Sequence, residues 1–328
     1  MLDNAVIPGA GSSRALIALD AGQSGSRVRV LTTANLAPAR SECSLGAVLT
    51  DRDVIPQLAE RAGQAVAAAW PDGLPAGVEL SLASGSTGLA STASAEDLLA
   101  ASQAYGISRV ALAHDSVTCY AGALGDDRGV VVAAGTGAVT LAVGASGLAR
   151  VDGWGHTLGD AGSGFWIGRA GLRAVLRAYD QRGPATALTA VVIADFPQLD
   201  DAYLALQSDS HWVKRVASYA RAVAELAPSD PVCAQIVHRA AAALANSAIT
   251  ALRRAGAIEW STGPAVALVG ALFGSAGLRD QFTTLLLEVV STARFVAPRG
   301  DALDGAAALF GLPADNPLAA QVRRAWPH

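Results

Sequence analysis

Lysine is almost absent from this chain: Lys214 is the single one, and the remaining fixed positive charge is arginine. A Walker-type phosphate loop needs a lysine directly after its glycines, and the protein kinases need one on a strand. Lys214 stands in neither setting, so any ATP site here must use another device. Cysteine is scarce too. Cys43, Cys119 and Cys233 are far apart and follow no C-x-x-C spacing, which excludes a disulfide framework and a zinc site and reads as small buried hydrophobes in a reducing cytosol. Basic surplus is missing, with a formal net charge of −4 and a pI near 5.7, so no nucleic-acid footprint is expected. No uninterrupted apolar run crosses a bilayer. The most hydrophobic stretch, VVVAAGTGAVTLAVGASGLA (130–149), is cut by Gly135, Gly137, Gly144 and Gly147 into strand-sized pieces. MLDNAVIPGAGSSR has no apolar h-region, so no signal peptide and a cytoplasmic location are expected, with no membrane partner.

What is present is a large apolar fraction, 52% of 328 residues, enough for two cored domains. The patterning predicts strands at 15–20, 26–32, about 36–43, 78–84 and 109–115, helices at 51–70 and 94–106 with Ser94 as N-cap, and a short helix after Asp115. The pattern then restarts with strands at 128–134 and 138–144. Helices follow at 165–180, 186–194, 211–227 and 231–255, with limits marked by Pro184, Pro197 and Asp230-Pro231. Strands at 265–270 and 294–298 and a last helix at 301–311 close the chain. Two halves that each open with strand, glycine turn and strand suggest a duplicated α/β domain with mixed sheets flanked by helices, and a ligand cleft between the two. The expected boundaries are 1–113 and 114–312, with the helix at 301–312 packing back on the first domain and 313–328 as a tail.

Several motifs bear chemistry. DAGQSGS (20–26) is a glycine turn whose N–H groups, with the Ser24 and Ser26 hydroxyls, suit an anion, and Asp20 would sit beside it as a carboxylate for hydrated Mg2+. An ordinary hairpin reads the same way. AAGTG (133–137) repeats the turn at the equivalent place in the second half, which favours a phosphate clamp. Asp115 ends an apolar strand before a helix, as a general base or merely as a helix cap. DGWGHTLGDAGSGFWIG (152–168) carries six glycines, Asp152 and Asp160 as acceptors for hydroxyls, Trp154 as a flat apolar face, and Ser163 as a cap for the helix at Phe165. Phe165, Trp166 and Ile167 read as core, and His156 has no metal-spaced partner.

Together these residues resemble the sugar kinases of the acetate kinase, sugar kinase, Hsp70 and actin superfamily, and within it the N-acetylglucosamine kinase branch of the BadF/BadG/BcrA/BcrD ATPases. DAGQSGS is similar to the first phosphate motif, HDS (114–116) to the catalytic aspartate segment, AAGTG to the second phosphate motif, and DGWGHTLGDAGSGFWIG to a specific GGWGxxxGDEGSGxWIG signature. VALVGALF (266–273) resembles the adenosine segment. The resemblance implies two ribonuclease H-like domains, MgATP-dependent phosphorylation of an amino sugar at its 6-hydroxyl, and a homodimer. It implies Asp115 as base, Asp20 as the Mg2+-linked carboxylate, and Gly22, Gln23, Ser24, Gly135, Thr136 and Gly137 as phosphate contacts. Ser84, Trp154, Gly155 and Asp160, with Asp115, would meet the sugar, and Gly270 and Ala271 the adenine. Two departures bear on the sugar's 2-substituent: the signature's Glu is Ala161, and SLGAVLTD (44–51) lacks the Asn and aromatic found near the acetamide in animal relatives, so glucosamine and N-acetylglucosamine both stay open.

Two other classes fit parts of the pattern. Activators of 2-hydroxyacyl-CoA dehydratases share the phosphate motifs but hold an iron–sulfur cluster through cysteines, and no cysteine here follows a glycine-rich loop. A non-catalytic sugar sensor would not need Asp20, Asp115 and both phosphate turns intact. A ROK-type kinase would carry a cysteine-rich zinc motif that is missing.

Overall fold

The structure, a computed structural model, describes residues 13–33, 36, 40–258 and 262–327. In chain order β1 (Arg14–Gly22) and β2 (Gly25–Thr32) form a hairpin, followed by β3 (Arg40–Leu45), α1 (Val54–Ala69), β4 (Glu79–Ser86), α2 (Ala95–Ser102), β5 (Ile107–His114) and α3 (Asp115–Leu124). The pattern restarts with β6 (Gly129–Ala134), β7 (Ala138–Gly144) and β8 (Gly147–Asp152), then runs through α4 (Gly155–Leu158), α5 (Gly164–Tyr179), α6 (Leu188–Asp195), α7 (Ala202–Gln207), α8 (Trp212–Leu226) and α9 (Pro231–Arg254). β9 (Ala265–Val269), α10 (Ala276–Val289), β10 (Arg294–Phe295), α11 (Ala302–Ala308) and β11 (Arg323–Ala325) complete it.

The first sheet has the order β3-β2-β1-β4-β5-β11 and the second β8-β7-β6-β9-β10. In each, the first three strands are antiparallel neighbours and the next two add in parallel on the other side of the opening strand. The same 3-2-1-4-5 order twice is the duplicated, ribonuclease H-like α/β arrangement that the resemblance implies. Strand alternation decides what each face does. In β1 and β2, Ile17, Leu19, Val28 and Val30 turn toward the core formed with α1 and α2. Asp20, Arg27 and Arg29 turn the other way.

The chain divides into two compact units. One holds the described residues up to Asp127 together with those from Ala297 onward, and the other holds Arg128–Val296. This differs from the division expected after residue 113, because α3 packs on β4, β1 and α11. The packing of α3 on α11 is backbone to backbone: a Cβ on Gly122 would lie 1.9 Å from the Asp301 carbonyl oxygen, and one on Gly305 1.8 Å from that of Thr118. The C-terminal segment is no free tail either, since β11 pairs antiparallel with β5.

Other differences have local causes. The third strand covers Arg40–Leu45, and residues 37–39 of the expected 36–43 strand lie outside the described residues. β8 was masked by the glycines on either side of it, and α4 and α7 are too short to show a helical period. The caps at Ser94 and Ser163 form as expected: their hydroxyls accept from the Asp97 and Trp166 amides at 3.0 and 3.1 Å.

The strongest cap is Asp230, ahead of α9, where Pro231 takes the first-turn position that needs no N–H. Its Oδ1 accepts from Val232 N and Cys233 N at 2.8 and 2.9 Å, and its Oδ2 from Thr186 Oγ1 and Ala187 N at 2.8 and 2.6 Å. Burial acts to raise its pKa, but these bonds outweigh it and hold the carboxyl below its ordinary value. A depressed folded pKa contributes stability that is present at neutral pH and lost as pH falls through the carboxylate range. Asp230→Ala is expected to cost about 2–4 kcal/mol at pH 7 in urea unfolding, and the cost should shrink by about pH 4.

Candidate active site

In the first unit, β1 and β2 meet at a tight hairpin in which Gly22 pairs with Gly25 and Gln23 and Ser24 form the exposed tip. The Gly22 carbonyl accepts from Val48 N at 3.1 Å. That ties the segment after β3 to the turn. Asp20 lies two residues before Gly22 and pairs across the ladder with Arg27. Its Oδ2 accepts from Arg27 at 2.9 Å, and the same guanidinium donates to Asp301 Oδ2 at 2.8 Å. Burial pushes the Asp20 pKa up, against the lowering effect of Arg27, and the charges of Asp115 and Asp301 add to the rise. Arg29, buried on the same face, donates to Glu42 and Asp304 at 2.9 and 2.7 Å. Asp301 and Asp304 form the capping box of α11.

Asp115 is the first residue of α3, and the cap is its neighbour: His114 Nδ1 accepts from Ser116 N at 3.2 Å. The helix-cap reading of Asp115 is therefore taken over by His114. Asp115 Oδ1 is buried, lies 2.7 Å from the same ring nitrogen, and makes no hydrogen bond of good geometry among the described residues. Cys119, one turn on, is an inert thiol: burial, with the nearby charges of Asp115 and Asp20, pushes it up to about 12. Ser84 is fully buried in β4, paired with Leu19 and Leu112 across the ladders, and its hydroxyl has no hydrogen-bond partner among the described residues.

In the second unit, Gly135, Thr136 and Gly137 link β6 to β7, closed by Gly135 N donating to Gly137 O at 2.9 Å. The first amides of α5 hold this turn: Gly164 N donates to Gly135 O at 2.8 Å and Phe165 N to Thr136 O at 3.0 Å. In trans peptides the N–H opposes the C=O, so the N–H groups of Thr136 and Gly137 point away from α5. Gly270, which follows β9, is held against Ala134 at φ +104°, where a Cβ would meet the Ala134 carbonyl at 2.2 Å. Ala271 then opens a single 3-10 turn. The segments expected to meet adenosine and phosphate, 266–273 and 133–137, are thus neighbours at one end of the second sheet.

The signature loop is built around two left-handed aspartates, Asp152 at φ 60° and Asp160 at φ 55°, a backbone region that costs a non-glycine residue energy and clusters at functional sites. Asp152 is not a hydroxyl acceptor as expected: its two oxygens each take a backbone amide, Asp160 N and Ala161 N, at 2.8 Å. That leaves Asp160 as the carboxylate aimed by the loop. It is 8% exposed, accepts from Gly155 N at 3.1 Å, and lies against the phosphate turn. Trp154 is 67% exposed, with the Arg150 guanidinium 5.3 Å from its ring. His156, Phe165 and Trp212 pack edge to face at 5.0–5.4 Å, and burial lowers the His156 pKa.

The expected residues therefore gather in two groups: Asp20, Gly22, Gln23, Ser24 and Asp115 in the first unit, and Gly135, Thr136, Gly137, Trp154, Gly155, Asp160, Gly270 and Ala271 in the second. Arg27, Arg29, Asp301 and Asp304 were missed. Their signals were present, as arginines two apart on one strand face and D-x-x-D ahead of an apolar run. The two glycines of the second turn should behave differently. A Cβ on Gly135 meets nothing within 4 Å, whereas one on Gly137 would sit 2.6 Å from Asp160 Oδ2. In urea unfolding, Gly135→Ala should stay within about 0.5 kcal/mol of the parent, while Gly137→Ala should cost about 1–3 kcal/mol.

Similarity to known proteins runs the same way. A curated N-acetyl-D-glucosamine kinase from Dictyostelium discoideum is 46% identical over 78 residues, 24% of each chain. A curated N-acetylmuramic acid/N-acetylglucosamine kinase from Clostridium acetobutylicum is 35% identical over 92 residues, 28% of this chain and 30% of that protein. The chain thus matches only 24% and 30% of the length of these curated relatives. The crystal structure of a candidate N-acetylglucosamine kinase from Chromobacterium violaceum superposes with a TM-score of 0.69 and 27% identity, covering 90% of this chain and 98% of that one. The profile of the BadF/BadG/BcrA/BcrD ATPases matches residues 13–311. That span runs from the first strand through the last helix, and the chain belongs to the BadF/BadG/BcrA/BcrD ATPase family.

Proposed function

We propose that this protein is an ATP-dependent amino-sugar kinase, transferring the γ-phosphoryl group to the 6-hydroxyl of glucosamine or N-acetylglucosamine. The observation that carries the reading is Asp115, a carboxylate at a strand end whose buried oxygen makes no hydrogen bond among the described residues. A substrate hydroxyl is a donor, and its proton is the one a kinase base must accept. Asp160 takes the sugar's other hydroxyls, Trp154 offers a face for its C–H surface, and Gly155 lets the sugar approach the backbone. Gly22, Gln23 and Ser24, with Gly135, Thr136 and Gly137, contact the ATP phosphates, and Gly270 and Ala271 contact adenine. Among the described residues no three His, Cys, Asp or Glu side chains form a metal cage. Mg2+ ordinarily keeps its waters and uses one or two carboxylates plus substrate phosphates, which Asp20 fits. Bound there with the nucleotide, it would neutralise charge on the phosphates.

The dehydratase-activator reading is weakened by its cysteines: Cys119 and Cys233 are buried, with thiols pushed up to about 12 and about 11. No helix among the described residues is long and apolar enough to cross a membrane, and we place the enzyme in the cytoplasm as a homodimer. The names of the relatives favour N-acetylglucosamine. A specific observation favours glucosamine: Val48 N and Leu49 N in the 44–51 loop are committed to Gly22 O and Gln57 Oε1, so neither is spare for an acetamide carbonyl.

An ADP-release assay across glucosamine, N-acetylglucosamine, N-acetylmannosamine, N-acetylmuramic acid and glucose tests the proposal. Turnover with a hexosamine is expected, and absence of turnover with all five overturns it. Asp115→Asn should lower kcat by roughly a hundredfold or more with sugar binding little changed. Asp160→Ala should raise the sugar KM by about tenfold or more and leave the ATP KM nearly constant, since charge-assisted bonds to two hydroxyls are lost. A kcat/KM for N-acetylglucosamine more than tenfold above that for glucosamine would remove the glucosamine reading.

A further inference from the structure

The first phosphate turn has a cation of its own. Arg27 stands between Asp20 and Asp301, 2.9 Å from one carboxylate and 2.8 Å from the other. Its place is fixed from both sides. The β1–β2 ladder sets Arg27 opposite Asp20, and the close contact of α3 with α11 sets the Asp301 cap. The other carboxylates of the group, Asp304 and Glu42, are answered by Arg29. Asp20, the carboxylate we assign to Mg2+, is therefore already engaged by an internal cation through one of its two oxygens.

We propose that Arg27 is a positioning residue that aims Asp20 and keeps its carboxylate closed to free divalent cations, so that the metal is taken up only together with nucleotide phosphates. The inference rests on the assignment of Asp20 above. A divalent ion approaching Asp20 alone meets a guanidinium within contact distance of the same carboxylate, and like charges repel across a partly buried site with little screening. Nucleotide phosphates reverse the balance. They add negative charge at the hairpin tip beside Asp20, and the metal then joins phosphate oxygens, its waters and the Asp20 oxygen that Arg27 leaves open. The device suits a hydrolysable nucleotide, because a metal-loaded turn without its phosphates would bind other anions.

Binding of Mn2+, measured by electron paramagnetic resonance of the free ion, tests this without reference to turnover. The parent protein should bind Mn2+ weakly alone and at least tenfold more tightly in the presence of ADP. Arg27→Met should bind Mn2+ without ADP at least tenfold more tightly than the parent, Arg27→Lys should restore the parent's behaviour, and Asp301→Asn, which keeps the cap but drops a charge, should resemble the parent. Circular dichroism checks that each variant is folded. Tight Mn2+ binding by the parent alone overturns the inference, as does an Arg27→Met variant that matches the parent or loses only ADP affinity. If ADP fails to promote Mn2+ binding in the parent while Asp20→Asn changes nothing, the assignment of Asp20 itself has failed.

Discussion

The contact between α3 and α11 is the constraint on which the first unit's chemistry rests. Gly122 and Gly305 bring the two backbones together, and no residue with a Cβ fits at either place. The segments meeting there are far apart in the chain. α3 carries Asp115 at its start, and α11 carries Asp301 at its cap. Through Asp301 the contact reaches Arg27, and through Arg27 it reaches Asp20. Without it, Arg29 would keep only Glu42 of its three carboxylates. A guanidinium this buried is stabilised by each of those carboxylates, so the glycine crossing and the charge network support one another.

Carboxylates in this protein separate by what donates to them. Asp230 accepts four hydrogen bonds and Asp152 two, from backbone amides and one hydroxyl. Asp301 takes two amides on one oxygen and arginine on the other. These groups shape turns and helix ends, and their bonding capacity is largely filled by the chain. Asp115 differs: its helix is capped by the residue before it, and its buried oxygen makes no hydrogen bond among the described residues. Its acceptor capacity is therefore not filled by the chain.

That distinction explains what could be read in advance. Strands such as ALIALD and VVVAA, and helices opened by Ser94, Ser163 or Asp230-Pro231, announce themselves locally, because period and cap lie within a few residues. The doubled strand–turn–strand pattern and the glycine-rich signature were legible for the same reason. Asp152 and Asp160, eight residues apart in one loop, look alike as letters. Only the left-handed folding of the loop fills both oxygens of Asp152 with loop amides and sets Asp160 Oδ2 beside the Gly137 turn. Ser84 lies on the strand face it shares with Leu80 and Leu82, which the motif alone does not reveal. The Arg27–Asp301 and Arg29–Asp304 pairs were hidden because they link positions more than 270 residues apart.

The duplication gives these differences a common frame. In both units the hairpin between the first two strands of the sheet carries a glycine turn, and in both the segment after the third strand folds back to hold that turn by its carbonyls. Val48 N does so in the first unit, and the amides of Gly164 and Phe165 in the second. The loop at 46–53 and the signature loop at 153–163 therefore occupy the same topological slot. The first copy is short and anchored by Arg61 and Gln57, which bond the carbonyls of Gly46 and Leu49. The second is long and glycine-rich, closed by its own aspartates. One slot thus holds a short brace in one unit and a long glycine-rich loop in the other. The extra residues lie where the sheet does not constrain them, so the longer loop is accommodated without disturbing either the strand order or the turn it supports.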